Sequence, residues 1–178
     1  MEQTPTIVTA QETQKLSKFD TIVLSFVNHL CDKLKMIESE KRVSEPSELF
    51  SGLRGEIKNP DELPCLRDYL LYVVVEGEFE LETVVLSAAL IDRYLKNSKL
   101  GGLPVHMYRL CSTALYVAEK FLKDTEVWNL EGFSDIQGAS IISLKKYEIQ
   151  FLEGIDHRLY LSTKDFKKYK QLMLAGDF

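Results

Sequence analysis

The amino-acid sequence predicts an all-α fold, on three observations. Apolar residues return at spacings of three and four in one segment after another, which is the period of a helix face and not the alternation of a strand. Two of these segments are apolar on nearly every side, the mark of helices buried among others. The best run of β-branched residues, Val73 to Val75, is too short for a strand and lies inside a longer helical pattern.

Taken in order, residues 1–12 are rich in Thr and Gln, lack periodicity and read as a flexible tail. Residues 13–37 form the first predicted helix, with Leu16, Phe19, Val23, Phe26, Leu30, Leu34 and Ile37 along one face. That stripe must be covered, either by the chain's own body or by a coiled-coil partner. A charged stretch before Pro46 ends the helix, and residues 38–62 read as a linker anchored by Leu49 and Phe50.

From Leu63 the chain reads as helix after helix. Leu66, Leu70, Val73 and Val74 share a face, with Gly77 suited to the left-handed position that closes the helix. The next helix runs from about Leu81 to Lys96 and contains the apolar run VVLSAALI. Asn97 and Gly101-Gly102 stop it, and Pro104 opens the helix that carries Leu110, Ala114, Leu115, Ala118 and Phe121. Leu86, Ala89, Ala114, Leu115 and Ala118 are the predicted centre of the core. After a polar linker holding Trp128 come a short helical turn and a longer helix with Ile142, Leu144, Tyr147, Phe151 and Leu152 inward. Ser162 and Asp165 form a capping-box-like start to a last helix, striped by Phe166, Tyr169 and Leu172/Met173.

Composition narrows the function. The 178 residues suit one compact domain with extensions, and 45% hydrophobic against 28% charged residues supply both a core and solubility. Acidic residues outnumber basic ones 27 to 22, and the net charge of −5 argues against a nucleic-acid partner. Cys31, Cys65 and Cys111 are odd in number and widely spaced, which predicts reduced thiols and no metal site. The N-terminus lacks a basic region followed by an apolar run, and no segment reaches the ~18 apolar residues of a membrane span. An intracellular protein of cytoplasm or nucleus is expected, with no membrane partner.

Motifs for chemistry are missing. There is no Gly-rich phosphate loop, HExxH or GxSxG, and His29, His106 and His157 each stand alone in their segments. No catalytic residue, cofactor, metal or small-molecule substrate is expected. Lys164, Lys167, Lys168 and Lys170 make either a docking patch for an acidic partner or a solvated face.

Three strings break the anonymity: AALIDRYL, then TALYVAEKF after a Gly/Pro turn, then LKKYEIQFLEGIDHRLYLS. In order, spacing and residue type they resemble the cyclin box. With ELFSG and DYLLYVV upstream, the chain is most similar to the phosphate-pathway cyclins of fungi and the related plant and protist cyclins. The resemblance implies a five-helix cyclin box over residues 63–156, with an added N-terminal helix and a C-terminal helix over 157–178. It also implies a non-catalytic regulatory subunit that binds and activates a cyclin-dependent kinase.

Residue by residue, the resemblance makes Lys120 the lysine presented to the kinase and Glu148 its acidic partner on the following long helix. Asp92 becomes the box-stabilising aspartate. Many cyclins pair this aspartate with an arginine near the start of the first box helix; the corresponding place here is near Leu63, and Arg67 lies a turn away. The MRAIL-type substrate-capture motif is missing. On physical grounds alone, Lys120 and Glu148 also fit a surface salt bridge worth ~0 to 1 kcal/mol. A carboxylate in a nearly all-apolar helix needs a partner, which makes Asp92 structural. Two rival functions stand beside this one: a helical scaffold that binds a non-kinase protein through the N-terminal amphipathic helix, and a transcription-factor-like cyclin fold that binds nucleic acid, against which the net charge of −5 argues.

Overall fold

The computed structural model describes residues 17–40, 65–97, 104–123 and 130–176. Side chains at 34–40 and 104–106 lie outside that description, as do the expected tail, most of the expected linker with Leu49 and Phe50, and the Trp128 segment. The described residues form seven helices and no strand. They are α1 (Lys18–Glu40), α2 (Leu66–Glu76), α3 (Leu81–Asn97), α4 (Pro104–Leu122), α5 (Leu130–Gln137), α6 (Ile141–Gly154) and α7 (Thr163–Ala175). This is the all-α arrangement that the sequence predicts.

The α3/α4 hairpin is the centre, and every other helix leans on it. Most of its apolar residues are enclosed, with Val84, Val85, Leu90, Ile91, Cys111, Ala114, Leu115 and Ala118 each buried. Small residues on α3 and α4 let the two backbones approach, so this is the most extensive helix contact in the molecule. Helix α2 packs on α4 through the face carrying Leu66, Leu70, Val73 and Val74.

Helix α1 begins with a reciprocal cap, in which the Asp20 amide donates to Ser17 Oγ and the Ser17 amide to Asp20 Oδ2. Its apolar stripe is covered by the chain itself: Ile22, Val23, Phe26, Val27 and Leu30 are buried, and α1 packs on α2, α3 and α7. Helix α7 opens on Ser162, whose Oγ accepts from the Asp165 amide at 3.1 Å, and closes on Gly176 in the left-handed conformation. Its Met173 is fully buried.

Three sequence expectations need correction. Gly77 ends α2 in the right-handed region at φ −77°, and Glu78 takes the left-handed position at φ 48°. Glycine is required at 77 for room, because a Cβ there would run into the Phe79 ring and come 2.7 Å from the Val73 carbonyl. Ile142 is 82% exposed and not inward. The buried face of α6 is set by Leu144, Tyr147 and Phe151, and Ile142 lies two residues from Leu144, on the opposite side of the helix. Phe121 is 45% exposed because it lies at the end of α4, where the stripe runs out beyond α3.

Candidate functional site

Lys120 stands in the last turn of α4 and Glu148 in the middle of α6. The packing below them fixes their separation. The buried guanidinium of Arg109 on α4 lies 4.0 Å from the ring centre of Tyr147, which sets the register of α6 against α4. Glu148, the next residue, meets the far end of α4 at Lys120. One turn before Lys120, Tyr116 stacks on Phe133 of α5 with centroids 4.9 Å apart. The Lys120 ammonium rests 5.1 Å from the Tyr116 ring centre and donates to Glu148 Oε1 at 2.6 Å. Partial burial pulls the Lys120 pKa down, but the hydrogen bond and charge of Glu148 outweigh it and hold the group above the ordinary lysine value.

The two residues named from the sequence are therefore brought together as an ion pair across two helices. Each is followed in the chain by an exposed apolar side chain, Phe121 after Lys120 and Ile149 after Glu148. Phe121 also lines a cleft of about 540 Å³ with Arg93 of α3 and His157, Arg158, Leu159 and Tyr160 of the α6–α7 linker. A fixed charge pair beside exposed apolar surface and a concave cleft has the make-up of a protein-docking face.

Asp92 lies apart from this pair, on the side of α3 that meets α1 and α7. Tyr169 of α7 donates to its Oδ2 at 3.2 Å, Lys33 Nζ of α1 lies 3.4 Å from Oδ1, and His29 Nε2 lies 3.6 Å from the same oxygen. Burial alone would raise the Asp92 pKa; contact with His29, the charge of Lys33 and the Tyr169 hydrogen bond together carry it below the usual carboxylate value. Burial and the neighbouring Asp92 push the Tyr169 phenol up to about 12. The cationic partner thus comes from the N-terminal helix and not from the start of α2, where Arg67 is exposed.

Sequence reasoning missed Glu119. It is fully buried next to exposed Lys120, accepts from Thr83 Oγ1 at 2.5 Å and lies 2.6 Å from Lys123 Nζ. The hydrogen bond and charge of Glu119 raise the Lys123 pKa. The available signal was the i, i+4 spacing of Glu119 and Lys123. Of the C-terminal lysines, Lys164, Lys167 and Lys168 are exposed, and Lys170 lies 3.6 Å from Glu82. Among the described residues no group of three His, Cys, Asp or Glu side chains is placed to hold a metal ion, and no helix is long and apolar enough to cross a membrane.

The helical box thus carries a charge pair beside exposed apolar surface, and a family model says which class of protein it is. The family model for the cyclin N-terminal domain matches residues 32–160, and the chain belongs to the cyclin family. It is similar to Cyclin-P3-1 of Oryza sativa subsp. japonica, 22% identical over 148 residues that make up 83% of this chain and 60% of that protein. It is also similar to Cyclin-U1-1 of Arabidopsis thaliana, 26% identical over 154 residues, 83% of this chain and 70% of that protein. The chain spans about 60% of the rice relative's length. Membership of the cyclin family supports a regulatory role for the chain.

Proposed function

We propose that the chain binds and activates a cyclin-dependent protein kinase, with Lys120 and Glu148 in the contact and Asp92 stabilising the box behind it. The carrying observation is the 2.6 Å Lys120–Glu148 pair spanning α4 and α6, bordered by exposed Phe121 and Ile149. Ion pairs of this kind give an interface its register, while apolar neighbours supply affinity.

Kinase activity needs the αC-helix glutamate to meet the β3 lysine. A partner that binds only the αC-in conformation raises its population by its differential affinity, and a shift from 1:99 to 99:1 takes about 5.5 kcal/mol. A docking face with a few buried anchors is sufficient for that. The scaffold alternative, in which α1 recruits a non-kinase partner, is weakened because the apolar face of α1 is already covered by α2, α3 and α7. The net charge of −5 stands against a nucleic-acid role.

Reversing both charges, Lys120→Glu with Glu148→Lys, keeps an intramolecular pair and presents the wrong pattern outward. Kinase binding and activation should fall by about one to three orders of magnitude. The lost contact of the Lys120 ammonium with Tyr116 costs about 0.5 to 1 kcal/mol, so melting should drop by only a few degrees. Normal activation by the swapped protein would remove both residues from the interface.

A further inference from the structure

The linker over residues 155–162 has no regular structure, yet it makes one wall of the cleft. Its first part is tightly wound. Asp156 and His157 hold φ values of 52° and 54°, a region that side-chain-bearing residues rarely adopt, and the amides of His157 and Arg158 donate to the Leu152 and Ile155 carbonyls. Its second part is held from outside. Arg93 of α3 donates through Nη1 to the Arg158 carbonyl and through Nη2 to the Tyr160 carbonyl at 3.3 Å. One turn further along α3, Asn97 Nδ2 donates to Asp156 Oδ2 at 3.4 Å, and the same oxygen accepts from Arg158 Nη2 at 2.6 Å.

This arrangement does more than tether the linker. A planar guanidinium that spans the carbonyls of residues 158 and 160 dictates the path of the backbone between them. That path brings Leu159 and Tyr160 to the cleft, with Tyr160 largely exposed on the rim opposite Phe121 of α4. A lysine at 93 would keep the charge and lose the two-pronged geometry.

We infer that Arg93 is a positioning residue for the kinase-binding cleft, shaping the linker wall through its two carbonyl contacts and not through its charge. The inference rests on the kinase reading above. The decisive variants are Arg93→Lys and Arg93→Ala, with Phe121→Ala as a direct cleft substitution. Two quantities are measured: hydrogen exchange at the His157 and Arg158 amides of the chain alone, and affinity for a purified cyclin-dependent kinase that the unaltered chain activates.

Both Arg93 variants should speed exchange at those two amides while leaving the α3/α4 amides protected, and should weaken kinase affinity by about tenfold or more. Phe121→Ala should weaken affinity without changing linker exchange. Unchanged linker exchange in Arg93→Ala would overturn the inference. So would full affinity in Arg93→Lys, which would make charge the relevant property, or faster exchange with affinity intact. Those three outcomes leave the kinase reading standing. A chain that activates no member of a panel of purified cyclin-dependent kinases sinks that reading and the role of Arg93 together.

Discussion

Replacing Asp92 with Asn keeps the side chain's shape and removes its charge. In the folded protein the carboxylate accepts a hydrogen bond from Tyr169 and lies 3.4 Å from Lys33, at a site where Asp92 is only 15% exposed. A hydrogen bond to a charged group contributes about 1.5 to 3 kcal/mol. Lys33 is about one-third exposed, so its ion pair adds no more than about 1 kcal/mol after solvent screening. The asparagine amide oxygen can still accept from Tyr169, so the substitution loses the charge's share of that bond and the Lys33 pair and should cost about 1 to 3 kcal/mol, or roughly 2 to 12 °C of melting temperature for a domain of this size. Combining it with Tyr169→Phe in a double-mutant cycle should show non-additivity of at least about 0.5 kcal/mol, because the two groups share one bond. The sign with pH follows from the depressed folded-state pKa. The contribution is complete above the ordinary aspartate value of 3.8 and is lost as pH falls through the lower folded value. Thermal melts of wild type and Asp92→Asn between neutral and acid pH should therefore converge only at the acid end. A melting temperature unchanged at neutral pH, or a gap that does not close in acid, would refute the assignment of Asp92 as the charged tie between α1, α3 and α7.

Two further substitutions test the packing. Leu115→Ala in the centre of α4 opens a cavity against α3 and should cost about 2 to 5 kcal/mol, read by denaturant unfolding; a cost below about 1 kcal/mol would show that the hairpin closes over the gap. Gly154→Ala places a Cβ against the Tyr94 ring, which is itself stacked on Phe151 at 5.4 Å. The clash of about 1 to 3 kcal/mol should outweigh the helix-propensity gain of at most about 1 kcal/mol, and a raised melting temperature would show that the ring gives way.

The helices were legible wherever one face had to be buried along its length. In α2 the spacing of Leu66, Leu70, Val73 and Val74 settles both the element and its inward side, and α3 announces its central position by being apolar all round. Legibility failed at ends and across long separations. Ile142 and Phe121 are chemically fit for a core, but they lie near helix termini, where no neighbour covers the outer side. The partners of Asp92 lie 63, 59 and 77 positions away at His29, Lys33 and Tyr169, and no local pattern joins them. An arginine near the start of α2 was the nearer expectation, yet Arg67 is exposed. Glu119 escaped notice for a similar reason: a glutamate beside a surface lysine looks solvated until the fold encloses it beside Thr83. Lys120 and Glu148 were found because they lie in strings whose spacing matches a family, and their contact at 2.6 Å follows from packing that periodicity cannot specify.

The buried stripe of α1 separates the span of the family model from what must fold together. The family match starts at residue 32, after Ile22, Val23, Phe26, Val27 and Leu30 have already entered the core, and it stops at 160, before Tyr169 and Met173. The unit that must fold together is thus longer than the family-model match at both ends. Fragments cut at the family limits would leave a greasy furrow on α3 and an Asp92 carboxylate deprived of its phenol, and such an opened face invites aggregation. The sealing helices α1 and α7 therefore count as structural members of the box they cover, and its stability depends on keeping them attached.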